Sequence, residues 1–216
     1  MSTRHPLEEA WRRTAADAGL SEPDAAAVFQ DLSRRYSEPG RAYHNLEHVA
    51  AMLETVSAFG DALHDDTAIC LAVWFHDANY DARRPDNEER SAVLAAAALG
   101  RGGASPALVS AVGRLILATK THRAAPDDTD CQILLDADLA VLGSGAASYD
   151  RYARAIREEY AWVPEADWRA GRRRVLEGFL GRDRLYHTAA LFQRCEQAAR
   201  ANLRREIECL TTSNSL

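Results

Sequence analysis

"TAICLAVWFHD", residues 67 to 77, decides the fold. Ile69, Leu71, Val73, Trp74 and Phe75 leave the stretch apolar almost all round. A helix without a polar face has to be wrapped by other elements. The stretch therefore predicts a central buried helix, and it ends on an imidazole and a carboxylate, His76 and Asp77.

The segments on either side read as more helices. "SEPDAAAVFQDLSRRY" offers Ser21 as an N-cap with Pro23 in the first turn. In "HNLEHVAAMLETVSAFG", Leu46, Val49, Leu53 and Val56 recur at helical spacing before Gly60. "NEERSAVLAAAALG" ends at Gly100, "SPALVSAVGRLILATK" opens with Ser105 and Pro106, and "DTDCQILLDADLAVLG" ends at Gly143. "SYDRYARAIREEY" sets Tyr149, Tyr152, Ile156 and Tyr160 on one stripe, expected to be packing. "PEADWRAGRRRVLEGFL" and "TAALFQRCEQAARANLRREIECL" follow, and "TTSNSL" reads as a frayed tail. No stretch shows strand alternation. The expectation is all-α: one domain over 1–216, with 144–216 as a C-terminal helical extension.

Composition excludes several classes. The chain has 216 residues and a formal charge of −6, so no stable nucleic-acid partner is expected. The one basic run, "RAGRRRVL", reads as a solvated helix face. No apolar run approaches membrane-spanning length, and the N-terminus has no secretory apolar region. Cys70, Cys131, Cys195 and Cys209 are scattered, which predicts no disulfides and a reducing cytoplasm. Cys70 is expected in the core.

Four places carry chemistry. His44 and His48 stand four apart, a spacing that returns to one face of a helix, although a pair of surface or capping histidines would read the same way. His76 and Asp77 end the most apolar helix, where burial costs free energy unless a partner compensates, and a divalent cation would compensate both. Asp136 and Asp138 interrupt an apolar helix, two apart, so only one readily faces a given point. Lys120 and His122 close another apolar helix, where a histidine alone reads as a favourable end of the helix dipole.

The order H…HD…D on helices resembles the HD superfamily of metal-dependent phosphohydrolases, and "YHNLEH" is close to the motif of cyclic-nucleotide phosphodiesterases. "YHNLEHV", "WFHDANYD", "DNEERSA", "ATKTH", "LDADLAVLG", "IREEY" and "RLYHT" together resemble a bacterial family of predicted HD-superfamily phosphohydrolases. That resemblance implies a helical bundle holding a divalent metal ion (Mn, Fe, Ni, Co, Zn or Mg). It implies His48, His76, Asp77 and Asp138 as ligands and His44 as proton donor. The chain departs from many two-metal members by placing Asn87 and Glu88 where a histidine–glutamate pair often stands, leaving His122 as the one extra imidazole.

The reaction so implied is hydrolysis of a phosphate ester in a small molecule, nucleotides included, by metal-activated water. Glu88 is the candidate to orient the water or the metal shell. Lys120, Arg41 and His122 are candidate phosphate contacts, with a solvated surface charge as the equal alternative for Lys120 and Arg41. Asp136 is expected behind the ligands, and His187 as a cap of the last helix; His5 and His64 receive no role. Two other readings share the scaffold. A metal-dependent oxygenase is disfavoured by the shortage of histidines, and a metal-retaining regulatory module by the complete ligand set.

Overall fold

The computed structural model describes residues 4–212, and every regular element among them is helical. The order is α1 (Arg4–Asp17), α2 (Glu22–Arg35), α3 (Leu46–Ser57), α4 (Asp66–Phe75), α5 (Asn87–Arg101), α6 (Pro106–Thr119), α7 (Thr129–Leu139), α8 (Ala146–Glu159), α9 (Glu165–Leu180) and α10 (Ala189–Thr212). Two short 3₁₀ turns, Gly60–Ala62 and Ala140–Gly143, follow α3 and α7. Residues 213–216 of the expected tail, and the side chain of His5, lie outside the described part.

The expected central helix is α4, and its side chains from Ala68 to Phe75 are buried except Cys70, which is half-buried. It packs against α1, α3, α5, α6 and α7. Burying each large apolar side chain is worth roughly 1.5–3 kcal/mol. Trp74 gathers Trp11 and Phe29 edge-on at 5.5 and 6.0 Å between ring centroids. α7 is a second central helix, buried from Asp130 through Ala137 apart from half-buried Gln132.

A helix buried on all sides needs its end groups satisfied from elsewhere. The Asp65 carboxylate accepts from the Ala68 N–H, and the Asp130 carboxylate of α7 accepts from the N–H groups of His64 and Asp65, each at 2.8 Å. At the other end Tyr36 Oη donates to the Trp74 carbonyl at 3.1 Å and His76 Nδ1 to that of Val73 at 2.9 Å. Arg41 donates to the carbonyls of Asp77 and Ala78 at 2.7 and 3.2 Å.

Two apolar cores result. The first spans α1 to α7; the second joins Leu139 and Leu142 to Tyr149, Leu176, Tyr186, Leu191 and Leu203. Phe59 packs against both. Gly143 does more than stop a helix: a Cβ there would stand 2.5 Å from that of Cys195, so α10 closes directly on this backbone. The basic run is not wholly solvated either, since Arg172 is buried and paired with Glu206 at 2.8 Å. Among the described residues no disulfide joins the cysteines, and no helix is long and apolar enough to cross a membrane.

Asp136 anchors the second core. It is fully buried and accepts from the N–H groups of His187 and Thr188 at 2.7 and 2.8 Å and from Thr188 Oγ1 at 2.6 Å. Thr188 Oγ1 in turn accepts from the Leu191 N–H, so Thr188, not His187, caps α10. Asp136→Ala would leave those donors without an acceptor, and a loss of about 2–4 kcal/mol is expected. Thermal unfolding should show it with bound metal per folded chain unchanged; an unaltered melting temperature would remove Asp136 from this role.

Candidate metal centre

α3 does not begin where the histidine spacing suggested. Asn45 is extended and caps the helix, its Oδ1 accepting from the Glu47 N–H at 2.8 Å. His48 lies in the first turn of α3, and His44 precedes the cap. The two histidines therefore do not share a helix face, although their ring centroids are 6.0 Å apart. The Asn side chain offers the chain a local alternative to one more helical turn, which is why the i, i+4 expectation fails here.

His76 follows α4 as its C-cap residue and Asp138 lies in the last turn of α7. With His48 they form one group whose donor atoms all lie within 4.8 Å of one another. His48 Nε2 is 3.3 Å from His76 Nε2 and 3.2 Å from Asp138 Oδ1. The hydrogen bond from His76 Nδ1 to the Val73 carbonyl turns Nε2 toward the group. Asp77 adjoins the group, its Oδ2 3.0 Å from His76 Nε2. Two imidazole nitrogens and a carboxylate oxygen, converging from three helices, suit a divalent transition-metal ion.

The charges agree with the geometry. Burial pushes the Asp77 and Asp138 carboxyls up, but the facing imidazoles outweigh it and hold both well below the usual carboxylate range. Burial lowers His48. It also opposes protonation of His76, but Asp77 and Asp138 raise that imidazole to about 9. The two carboxylates are thus held ionised beside the imidazoles, which favours positive charge among them, whether on His76 or on a bound cation.

His122 joins the cluster in a way the helix-end reading did not anticipate. Its Nε2 is 2.9 Å from Asp138 Oδ2, and its backbone stands at φ 50°, the left-handed region that non-glycine residues enter sparingly. Asp138 is thereby held from both sides, by His48 on one oxygen and His122 on the other.

Sequence reasoning missed Glu159, at the end of α8. Its side chain is completely buried, and it accepts from the N–H groups of Tyr43 and His44 at 2.7 and 2.9 Å, from His44 Nδ1 at 2.6 Å and from Tyr80 Oη at 2.8 Å. Burial alone would raise its carboxyl; the bonds to His44 bring it below the ordinary value and in return raise the His44 imidazole against its own burial. The Tyr80 ring stacks on His44 at 4.2 Å between centroids. With Nδ1 on Glu159, His44 Nε2 looks toward Asp77 Oδ2, 4.0 Å away. The one signal for Glu159 in the sequence was "IREEY", a segment without a metal-ligand residue in the expected set.

The remaining candidates have other partners. Arg41 is buried, with its guanidinium on the carbonyls of His44, Asp77 and Ala78, so it ties the histidine loop to the end of α4. Lys120 Nζ pairs at the surface with Glu89 and donates to the Pro85 carbonyl. Glu88 is half-buried in the first turn of α5, where its charge acts on Lys120. Tyr149 is core, and Tyr152 packs edge-on to Tyr43 at 4.7 Å.

Replacing His48, His76 or Asp138 by alanine should each abolish most of the bound metal, measured by elemental analysis of protein purified without chelator. His122→Ala removes only a hydrogen bond to a ligand, and metal affinity should fall about 10–100-fold. Equal retention of metal in all four variants would dissolve the cluster as a binding site.

No family profile matches the chain, and neither does a curated protein or a solved structure.

Proposed function

We propose that the chain is a metal-dependent phosphohydrolase of the HD type, acting on a phosphate ester of a small molecule. The observation that carries this reading is the convergence of His48, His76 and Asp138 within 4.8 Å, beside a histidine held by a buried carboxylate. Asp77, at 3.0 Å from His76, is in reach as a fourth ligand. A divalent cation in this group supplies Lewis acidity and lowers the pKa of a bound water.

The chain's own residues divide the remaining work. Glu159 fixes the His44 ring by taking its Nδ1 hydrogen bond, so a proton on Nε2 is directed to the metal side of the ring. From there His44 can donate it to the oxygen of the departing alcohol. Tyr80 covers one face of the imidazole and shares Glu159, which limits ring rotation. His48 and His76 are nearly inaccessible, whereas Asp77, Asp138, His122 and His44 keep between 16 % and 20 % of their side chains exposed. The solvent-facing side of the cluster is thus where an ester would enter.

His44→Ala should keep the metal and slow turnover by about 10²–10⁴-fold on an alkyl phosphate, whose leaving group needs a proton. An aryl phosphate with an activated leaving group should suffer far less. Glu159→Gln should slow the same substrates in the same order, since it loosens the ring without touching the metal donors. Rates on both substrates together with metal content test the assignment. Absence of hydrolysis across phosphomonoesters and diesters by metal-loaded protein would refute it, and loss of metal in His44→Ala as complete as in His48→Ala would make His44 a ligand.

A further inference from the structure

Beyond the metal cluster, on the far side of His122, lies an open pocket of ≈ 500 Å³. It is lined by Thr121, His122, Arg123, Arg182, Asp183, Arg184 and His187. Three arginines against one aspartate leave a local excess of positive charge in a chain that is net acidic. Among the described residues none of these three guanidiniums is in an ion pair, whereas Arg172, Arg200 and Arg205 of the neighbouring helices are.

Two of the guanidiniums are held by aromatic rings. Arg184 lies over Phe192 at 4.0 Å and Arg182 over Phe179 at 4.8 Å. Arg182 also makes long hydrogen bonds to the carbonyls of Thr121 and His122, at 3.4 and 3.5 Å. Stacking fixes the plane of each guanidinium; among the described residues Arg184 makes no hydrogen bond and Arg182 only these two long ones, so N–H groups remain for fork-like recognition of an oxyanion. Arg182 is half-buried beside the like charge of Arg123, and both burial and that neighbour disfavour its charge. A bound anion would offset the repulsion.

The pocket adjoins the cluster through one side chain. His122 lines it, while Nε2 of the same ring bonds Asp138. The left-handed backbone at His122 sets the ring on Asp138 and leaves Arg123, the next residue, at the pocket. We infer that this pocket is a phosphate subsite one histidine away from the metal-binding group, and that the substrate carries a second phosphate besides the one cleaved. Its place in catalysis rests on the phosphohydrolase reading; its affinity for phosphate does not. The excess of two positive charges matches a phosphate dianion better than a carboxylate.

Calorimetric titration of the full-length protein, kept metal-free with chelator, with inorganic phosphate tests the subsite apart from the chemistry. Phosphate should bind, and Arg182→Gln should weaken it by about tenfold or more, the usual scale of a charge-assisted bond. Arg123→Gln, in an exposed loop, should do the same and guards against a folding defect in the first variant. Acetate should bind at least tenfold more weakly than phosphate. Phosphate binding that is undetectable, or unchanged in both variants, would overturn the subsite, and acetate binding as tightly as phosphate would overturn its assignment to phosphate. A protein that binds phosphate here yet hydrolyses no ester would keep the subsite and lose the phosphohydrolase reading.

Discussion

The site exists because a helix with no polar face must end somewhere. The last carbonyls of α4 and those just past its end need donors, because a buried carbonyl without one costs about as much as a lost hydrogen bond. Val73 is served by His76 itself, Trp74 by Tyr36, and Asp77 and Ala78 by Arg41. The His76 and Arg41 bonds each do a second thing. The first aims His76 Nε2 into the cluster, and the Arg41 bonds bring the loop carrying His44 against the His76–Asp77 pair. Satisfying one helix end thus aims His76 and seats the His44 loop beside it.

The second core is joined to this arrangement at few but decisive places. Asp136 and Asp138 lie two apart on α7 and face opposite ways, one to the start of α10 and the other to His48 and His122. Glu159 reaches from α8 to His44, 115 residues earlier in the chain. The aromatic contact of Tyr152 with Tyr43 closes the same seam. The last helices are therefore part of the site's wall, and the helical extension expected from the sequence has its own core and its own share in positioning His44.

Much of this was legible along the chain because it is local. The all-round apolarity of residues 67–75 announced α4, and Ser21, Ser105 and Pro106 cap or open their helices as read. His48, His76 and Asp138, three of the four ligands that the resemblance implied, meet, with the fourth, Asp77, beside them. What failed was whatever depended on a competing local bond or on distance. Asn45 capped α3 one residue after His44, so the face-sharing argument did not hold. Glu159 stands in "IREEY", a segment of the resemblance that offered no expected ligand, and α8 gives no hint that its end turns inward to meet Tyr43, His44 and Tyr80. Arg41 read as a surface charge or phosphate contact because its real partners, backbone carbonyls, leave no trace in a sequence.

The division between the cores also orders events in time. Every donor of the metal-binding group lies between residues 48 and 138, within or at the edge of the first core, whereas the carboxylate that holds His44 comes from the second. Synthesis proceeds from the N-terminus, and folding generally follows it. A growing chain therefore holds His48, His76 and Asp138 before Glu159, the carboxylate that fixes the His44 ring, has been made.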